Sequence, residues 1–158
     1  MPDITPFLWF NKEAEAAAKF YTSIFKKSKI GQISRYGDAG PGPKGSVMTI
    51  TFTLLGQHFI ALNGGPHFKF NESISFVVSC RTQKELDYYW KRLTSGGGKP
   101  VQCGWLTDKF GLSWQIVPDD MDKLMTSKDP AASHRVMKAM LKMKKLDIKG
   151  LKKAYAGK

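Results

Sequence analysis

Apolar and polar side chains alternate strictly from Ser46 to Leu54. Met48, Ile50, Phe52 and Leu54 fall on one side, and Val47, Thr49, Thr51 and Thr53 on the other. A period of two predicts a strand with one buried face. Upstream the period lengthens. Ala14, Ala17, Ala18, Tyr21, Ile24 and Phe25 recur at helical spacing, with Asn11 as the expected cap and Glu13 and Glu15 in the first turn, where a helix dipole favours acids. Strand-like runs flank this helix at Ile4 to Phe10, Ile30 to Tyr36 and His58 to Asn63, with a tight turn at Leu55-Gly56-Gln57 and a Gly/Pro-rich loop from Gly37 to Gly45.

The same order then returns. Ser75-Phe76-Val77-Val78-Ser79 leads into a second helix, opened by the capping box Thr82-Gln83-Lys84-Glu85 and faced inward by Leu86, Tyr89, Trp90 and Leu93. Gly96-Gly97-Gly98 ends it. A short strand is expected within Lys99 to Trp105, a turn at Asp108 to Gly111, and a last strand from Leu112 to Val117. The closing strands of the two halves, Phe59-Ile60-Ala61-Leu62 and Trp114-Gln115-Ile116-Val117, occupy equivalent places. A strand–helix–strands unit used twice predicts a pseudo-symmetric α+β domain at 1–120, with module one at 1–66, module two at 70–120 and a cleft between the copies. Residues 121–158 read as a helical extension. Asp129 caps one helix with Pro130 at its first position, and Asp147 caps another.

Charge sharpens the last boundary. The chain of 158 residues carries a formal net charge of +12, and from Leu124 onward ten Lys/Arg oppose only Asp129 and Asp147. This extension is therefore strongly basic, while the repeated part is nearly ordinary. No apolar run approaches the ~20 residues needed to span a bilayer, and the start Met1-Pro2-Asp3-Ile4 shows no secretory pattern. The two cysteines, Cys80 and Cys103, match no zinc spacing. These features point to the cytoplasm and away from a membrane.

The residues also resemble a known family. Pro6-Phe7-Leu8-Trp9-Phe10, Ala14-Glu15-Ala16-Ala17, Phe59 to Pro66, Ile74 to Val78, Glu85 to Trp90, Cys103 to Asp108, Gly111 to Pro118 and Val136 to Leu141 are together similar to PhnB-like proteins. Those proteins belong to the glyoxalase/bleomycin-resistance/dioxygenase group, the vicinal oxygen chelate superfamily, in a subgroup often labelled demethylubiquinone methyltransferase. The resemblance implies paired βαβββ modules forming a curved mixed sheet around a cleft, in a homodimer. It implies metal ligands near Pro6, Ile60 or Ala61, Ile74 or Ser75, and Gln115, yet none of these is a carboxylate, imidazole or thiolate. His58, His67 and His134 share no helical or strand spacing. No strand runs into a Gly-rich turn suited to S-adenosylmethionine, and the prolines of Gly40 to Gly45 remove the N–H donors that a phosphate cradle needs. No metal and no cofactor is therefore expected.

An aromatic, amide-bearing cleft remains. Gln115 alternates with Trp114, so a core Trp114 turns Gln115 toward the cleft. Trp9, Asn63, His67, Trp105 and Gln115 are the candidate ligand-binding residues, for a small apolar or aromatic molecule. Asp108 sits in an Asp-x-x-Gly turn, where its carboxylate is expected on its own backbone. No Ser or Cys has a neighbouring base. The weighed alternatives are an enzyme of the superfamily, methyltransferase-labelled or metal-dependent, and binding of nucleic acid or an acidic partner by the basic helices. No DNA- or RNA-reading motif supports nucleic acid.

Overall fold

The computed structural model describes residues 1–158, which separate into two compact units, Met1–Phe70 and Asn71–Lys158. Unit one contains β1 (Phe7–Phe10), α1 (Ala14–Ile24), β2 (Lys29–Arg35), β3 (Val47–Leu54) and β4 (Gln57–Asn63). Its sheet has the order β1-β4-β3-β2, with β1 parallel to β4 and the other pairs antiparallel. Unit two repeats this with β5 (Ser75–Cys80), α2 (Gln83–Thr94), β6 (Lys99–Pro100), β7 (Trp105–Thr107) and β8 (Ser113–Pro118), in the order β5-β8-β7-β6 with β5 parallel to β8. Each is a βαβββ module with a mixed sheet open at both edges, as the repeated pattern predicts. Three helices follow in unit two: α3 (Met121–Met125), α4 (Pro130–Met140) and α5 (Ile148–Ala156).

The period-two positions decide the faces. Leu8, Phe10, Ile50, Phe52, Leu54, Phe59 and Ala61 are buried on the side of the first sheet where α1 lies, and α1 contributes Ala14, Ala17, Ala18, Tyr21 and Ile24. Three alanines on that face let the helix approach closely, and Tyr21, Phe52 and Phe59 stack in sequence across the gap. In unit two, Val78, Cys80, Leu106, Trp114 and Ile116 meet Leu86, Trp90 and Leu93 of α2. At ~25 cal/mol per Å² of apolar surface, these fully buried large side chains supply most of each module's stability.

One local expectation is corrected. Asn11 does not cap α1. The residue before the helix is Glu13, whose side chain makes no capping bond, and Asn63 at the end of β4 accepts from the Ala14 N–H at 2.8 Å instead. Asn11 uses its carbonyl to hold Gly65 N–H, so its backbone belongs to the 63–67 loop crossing. The short strand expected within Lys99 to Trp105 is β6, which a turn with Cys103 and Gly104 at positive φ separates from β7. The capping box holds: Glu85 N–H donates to Thr82 Oγ1, and Glu85 Oε2 accepts from the Arg81 N–H.

The basic extension is stitched into unit two. Cys103 N–H and Gly104 N–H donate to the carbonyls of Met143 and Lys144 at 2.8 Å each. Gln83 donates to the Leu146 carbonyl and accepts from the Ile148 N–H. Val136, Leu146 and Leu151 are completely buried. No helix is long and apolar enough to cross a membrane.

Candidate functional site

The face of the second sheet turned away from α2 carries a row of three directly opposed residues: Val77 on β5, Gln115 on β8 and Trp105 on β7. Cross-strand partners share a face, so their side chains stand together. Val77 is 56% exposed, while Gln115 and Trp105 are half-buried. One register away lies a hydroxyl row of Ser75, Ser113 and Thr107. Gln115 Nε2 donates to Ser75 Oγ at 2.9 Å, which leaves the amide oxygen to serve as an acceptor. Ser113 Oγ is buried and has no hydrogen-bond partner. A buried hydroxyl without a partner costs about 1–3 kcal/mol.

The opposite face shows why this row is presented so firmly. Trp114 is buried against Phe76, and its indole N–H donates to Asp108 Oδ2 at 2.9 Å. Asp108 Oδ1 accepts from the N–H groups of Phe110 and Leu112. Asp108, 3% exposed, is thus a turn anchor, as the Asp-x-x-Gly spacing suggests, and it ties the turn to Trp114 on β8, next to Gln115. On the neighbouring strand the Cys80 thiol faces the helix side. Burial, and then the nearby carboxylates of Glu85 and Asp119, push it up to about 12, which makes it a poor nucleophile.

Unit one places the other predicted residues. Trp9 Nε1 donates to the Gly65 carbonyl, and the ring packs edge-on to Phe68. A Cβ on Gly64 would lie 2.4 Å from the Trp9 ring, so only glycine allows this approach. Asn63 spends both ends of its amide, Oδ1 on Ala14 N–H and Nδ2 on the Val47 carbonyl. His67 and Asn63 line a cavity of about 550 Å³ together with Tyr36, Lys12, Pro41 and Pro43. The structure therefore brings Trp105 and Gln115 together on one sheet face, and Asn63 and His67 together at one cavity with Trp9 beside its wall.

The sequence reading names Ser75 only as an implied metal position and does not single out Ser113. The signal was present, because a two-residue offset from Val77 and Gln115 puts them on the same face. Tyr36 had no such signal, since its role depends on a loop folding over it. The metal positions implied by the resemblance hold Pro6, Ile60 or Ala61, Ile74 or Ser75, and Gln115. Within neither unit does a group of three or more His, Cys, Asp and Glu side chains converge. This donor set does not fit a chelated divalent ion.

A family model described as 3-demethylubiquinone-9 3-methyltransferase matches residues 2–117, ending before α3. Among solved structures, a PhnB protein from Bacillus cereus, assigned provisionally as a 3-demethylubiquinone-9 3-methyltransferase, is 39% identical with a TM-score of 0.66, covering 73% of this chain and 99% of that one. A Pseudomonas aeruginosa protein is 19% identical with a TM-score of 0.61, covering 75% and 98%. The fosfomycin resistance protein FosX from Listeria monocytogenes, solved with Mn(II) and sulfate, is 16% identical with a TM-score of 0.51, covering 73% and 89%. The last two share the fold. No curated protein matches the chain.

Proposed function

The chain belongs to the family described as 3-demethylubiquinone-9 3-methyltransferase, whose PhnB-like members fall in the glyoxalase/bleomycin-resistance superfamily, and from that premise we propose that it binds a small apolar or aromatic molecule without a resident metal. The site is the face of β5, β8 and β7 that carries Val77, Gln115 and Trp105. The observation that carries this reading is the buried, unpartnered Ser113 hydroxyl beside the Gln115 amide. Together they offer a ligand two polar anchors against an otherwise apolar surface, the composition of small-molecule sites. Trp105 supplies a broad apolar contact at low entropy cost. The residues at the superfamily's metal positions are hydrocarbon or neutral, so no step is routed through a metal, and the role proposed is binding, with no reaction assigned to the site.

A panel of neutral aromatic compounds, screened by thermal shift on the wild-type protein and Gln115→Ala, tests the reading. Binders that raise the midpoint of the wild type and lose that effect in a variant of unchanged intrinsic stability support it. Equal loss of stability in the unliganded variant would make Gln115 structural. A shift produced by S-adenosylmethionine alone would favour the methyltransferase reading, and stoichiometric metal removed by chelation would favour the metal-dependent one.

A second reading has its own observation. Arg81, Lys149, Lys152, Lys153 and Lys158 line a groove of about 700 Å³ at the start of α2 and along α5, with Asp147 as its lone acid. Such a surface suits an acidic partner through charge alone. The functional unit we propose is a cytoplasmic homodimer. Ile4, Phe7 and Ile74 are exposed apolar residues in or beside the edge strands β1 and β5, and a second copy would cover them.

A further inference from the structure

We infer that the first module holds a second site, separate from the Trp105–Gln115 face: a preformed pocket for a small aromatic or alicyclic carboxylate. Its volume of about 550 Å³ lies within the range of ~300–1,000 Å³ typical of small-molecule pockets. The walls come from three places in the sequence, the start of α1, the loop after β2 and the end of β4, and each is fixed by hydrogen bonds. Tyr36 N–H donates to the Ser46 carbonyl and Gly45 N–H to the Tyr36 carbonyl, which closes the loop. Tyr36 Oη donates to the Asn63 carbonyl at 2.5 Å. The Asn63 amide ties Ala14 to Val47, while Gly64 and Gly65 N–H groups donate to Phe10 and Asn11. A Cβ at Gly40 or Gly42 would stand 2.4 Å from Tyr36 ring atoms, so the loop rests directly on that ring. Walls held in this way need little ordering when a ligand enters.

The chemistry of the lining selects the ligand. Pro41, Pro43, Pro66, Val47 and Tyr36 present hydrocarbon and ring surface. Proline brings no N–H, so the interior has few donors for a polar ligand. The ionisable side chains at the pocket, Tyr36 aside, are Lys12, Glu15 and His67. Glu15 is directed onto Lys19 at 3.3 Å. The Lys12 ammonium and the His67 imidazole make no ion pair or side-chain hydrogen bond. The available anchors are thus one cation and one imidazole beside an apolar interior. They match a ring bearing a single carboxylate, and they are too few for a phosphate, which recruits several donors or an arginine fork.

Benzoate and cyclohexanecarboxylate, titrated into the full chain and followed by backbone amide NMR, provide the test, with benzamide and acetate as controls. Saturable shifts at 36–47 and 63–67 are expected for both ring acids, and at least about tenfold weaker binding for benzamide and for acetate. The double variant Lys12→Ala/His67→Ala changes two exposed side chains and should weaken benzoate by about tenfold or more, while Lys84→Ala, an exposed cation on α2, leaves benzoate unchanged. Absent saturation, equal binding of benzamide, or undiminished benzoate binding in the double variant would overturn the site. Shifts confined to β5, β7 and β8 and lost in Gln115→Ala would also overturn it while leaving the sheet-face reading intact.

Discussion

At Asp108 one carboxylate accepts two backbone N–H groups and an indole N–H, the Leu112 and Trp114 bonds buried and the Phe110 bond part-buried. Asp108→Ala strands three donors, and a loss of about 3–5 kcal/mol is expected in denaturant unfolding. Ser113 predicts the opposite. Its hydroxyl has no partner, so Ser113→Ala should leave stability unchanged or raise it by up to about 1 kcal/mol, yet reduce affinity for ligands of the Gln115 face. A variant that loses stability and keeps binding would contradict this. Cys80 gives a pH dependence. Its folded thiol titrates at about 12 against an ordinary 9.0, chiefly through burial. Above pH 9 the unfolded chain releases a proton that the folded chain keeps, so this group's contribution is full below pH 9 and declines as pH rises toward 12. Stability measured across that range should fall less steeply in Cys80→Ala than in the wild type, once the two are compared from their own neutral-pH values.

Among the elements, those written in local code were legible. The alternation of 46–54 gave β3 and its buried face, Thr82 with Glu85 gave the start of α2, and Asp129 and Asp147 do cap α4 and α5 through Ala131 and Lys149 N–H groups. The start of α1 was misread because its cap is supplied by Asn63, 49 residues away, and no local window contains that pairing. The same limit applies to the sites. The facing of Gln115 followed from alternation with a buried Trp114, but the cavity around Tyr36 depends on a Gly/Pro loop whose sequence says only that regular structure stops. Asn63→Ala should therefore destabilise the first module by about 1–2 kcal/mol, as loss of a helix cap does, and Asn63→Asp by less because the acceptor survives. Circular dichroism melts of both variants check the ordering.

For the whole molecule, the +12 charge is concentrated in helices that the second module holds by backbone hydrogen bonds and by Leu146, Val136 and Leu151. They are part of a folding unit, although the family match ends at residue 117. A chain truncated after Asp120 bares the Cys103 and Gly104 N–H groups and the Gln83 amide, and its thermal midpoint should drop by several degrees or more. Retention of the full chain on heparin should weaken steeply as salt rises, because the cations around Lys149 and Lys153 are solvated. Salt-independent retention would show that the basic surface is not the contact.

In both modules the first strand is parallel to the last, Phe7 opposite Ile60 and Ser75 opposite Ser113. As the ribosome extrudes the chain, Phe7–Phe10 must wait for roughly fifty further residues before its ladder can zip, a long loop closure that slows folding. The nascent first module is then left for seconds with an apolar ribbon unclaimed, and that interval is when a chaperone would meet this protein.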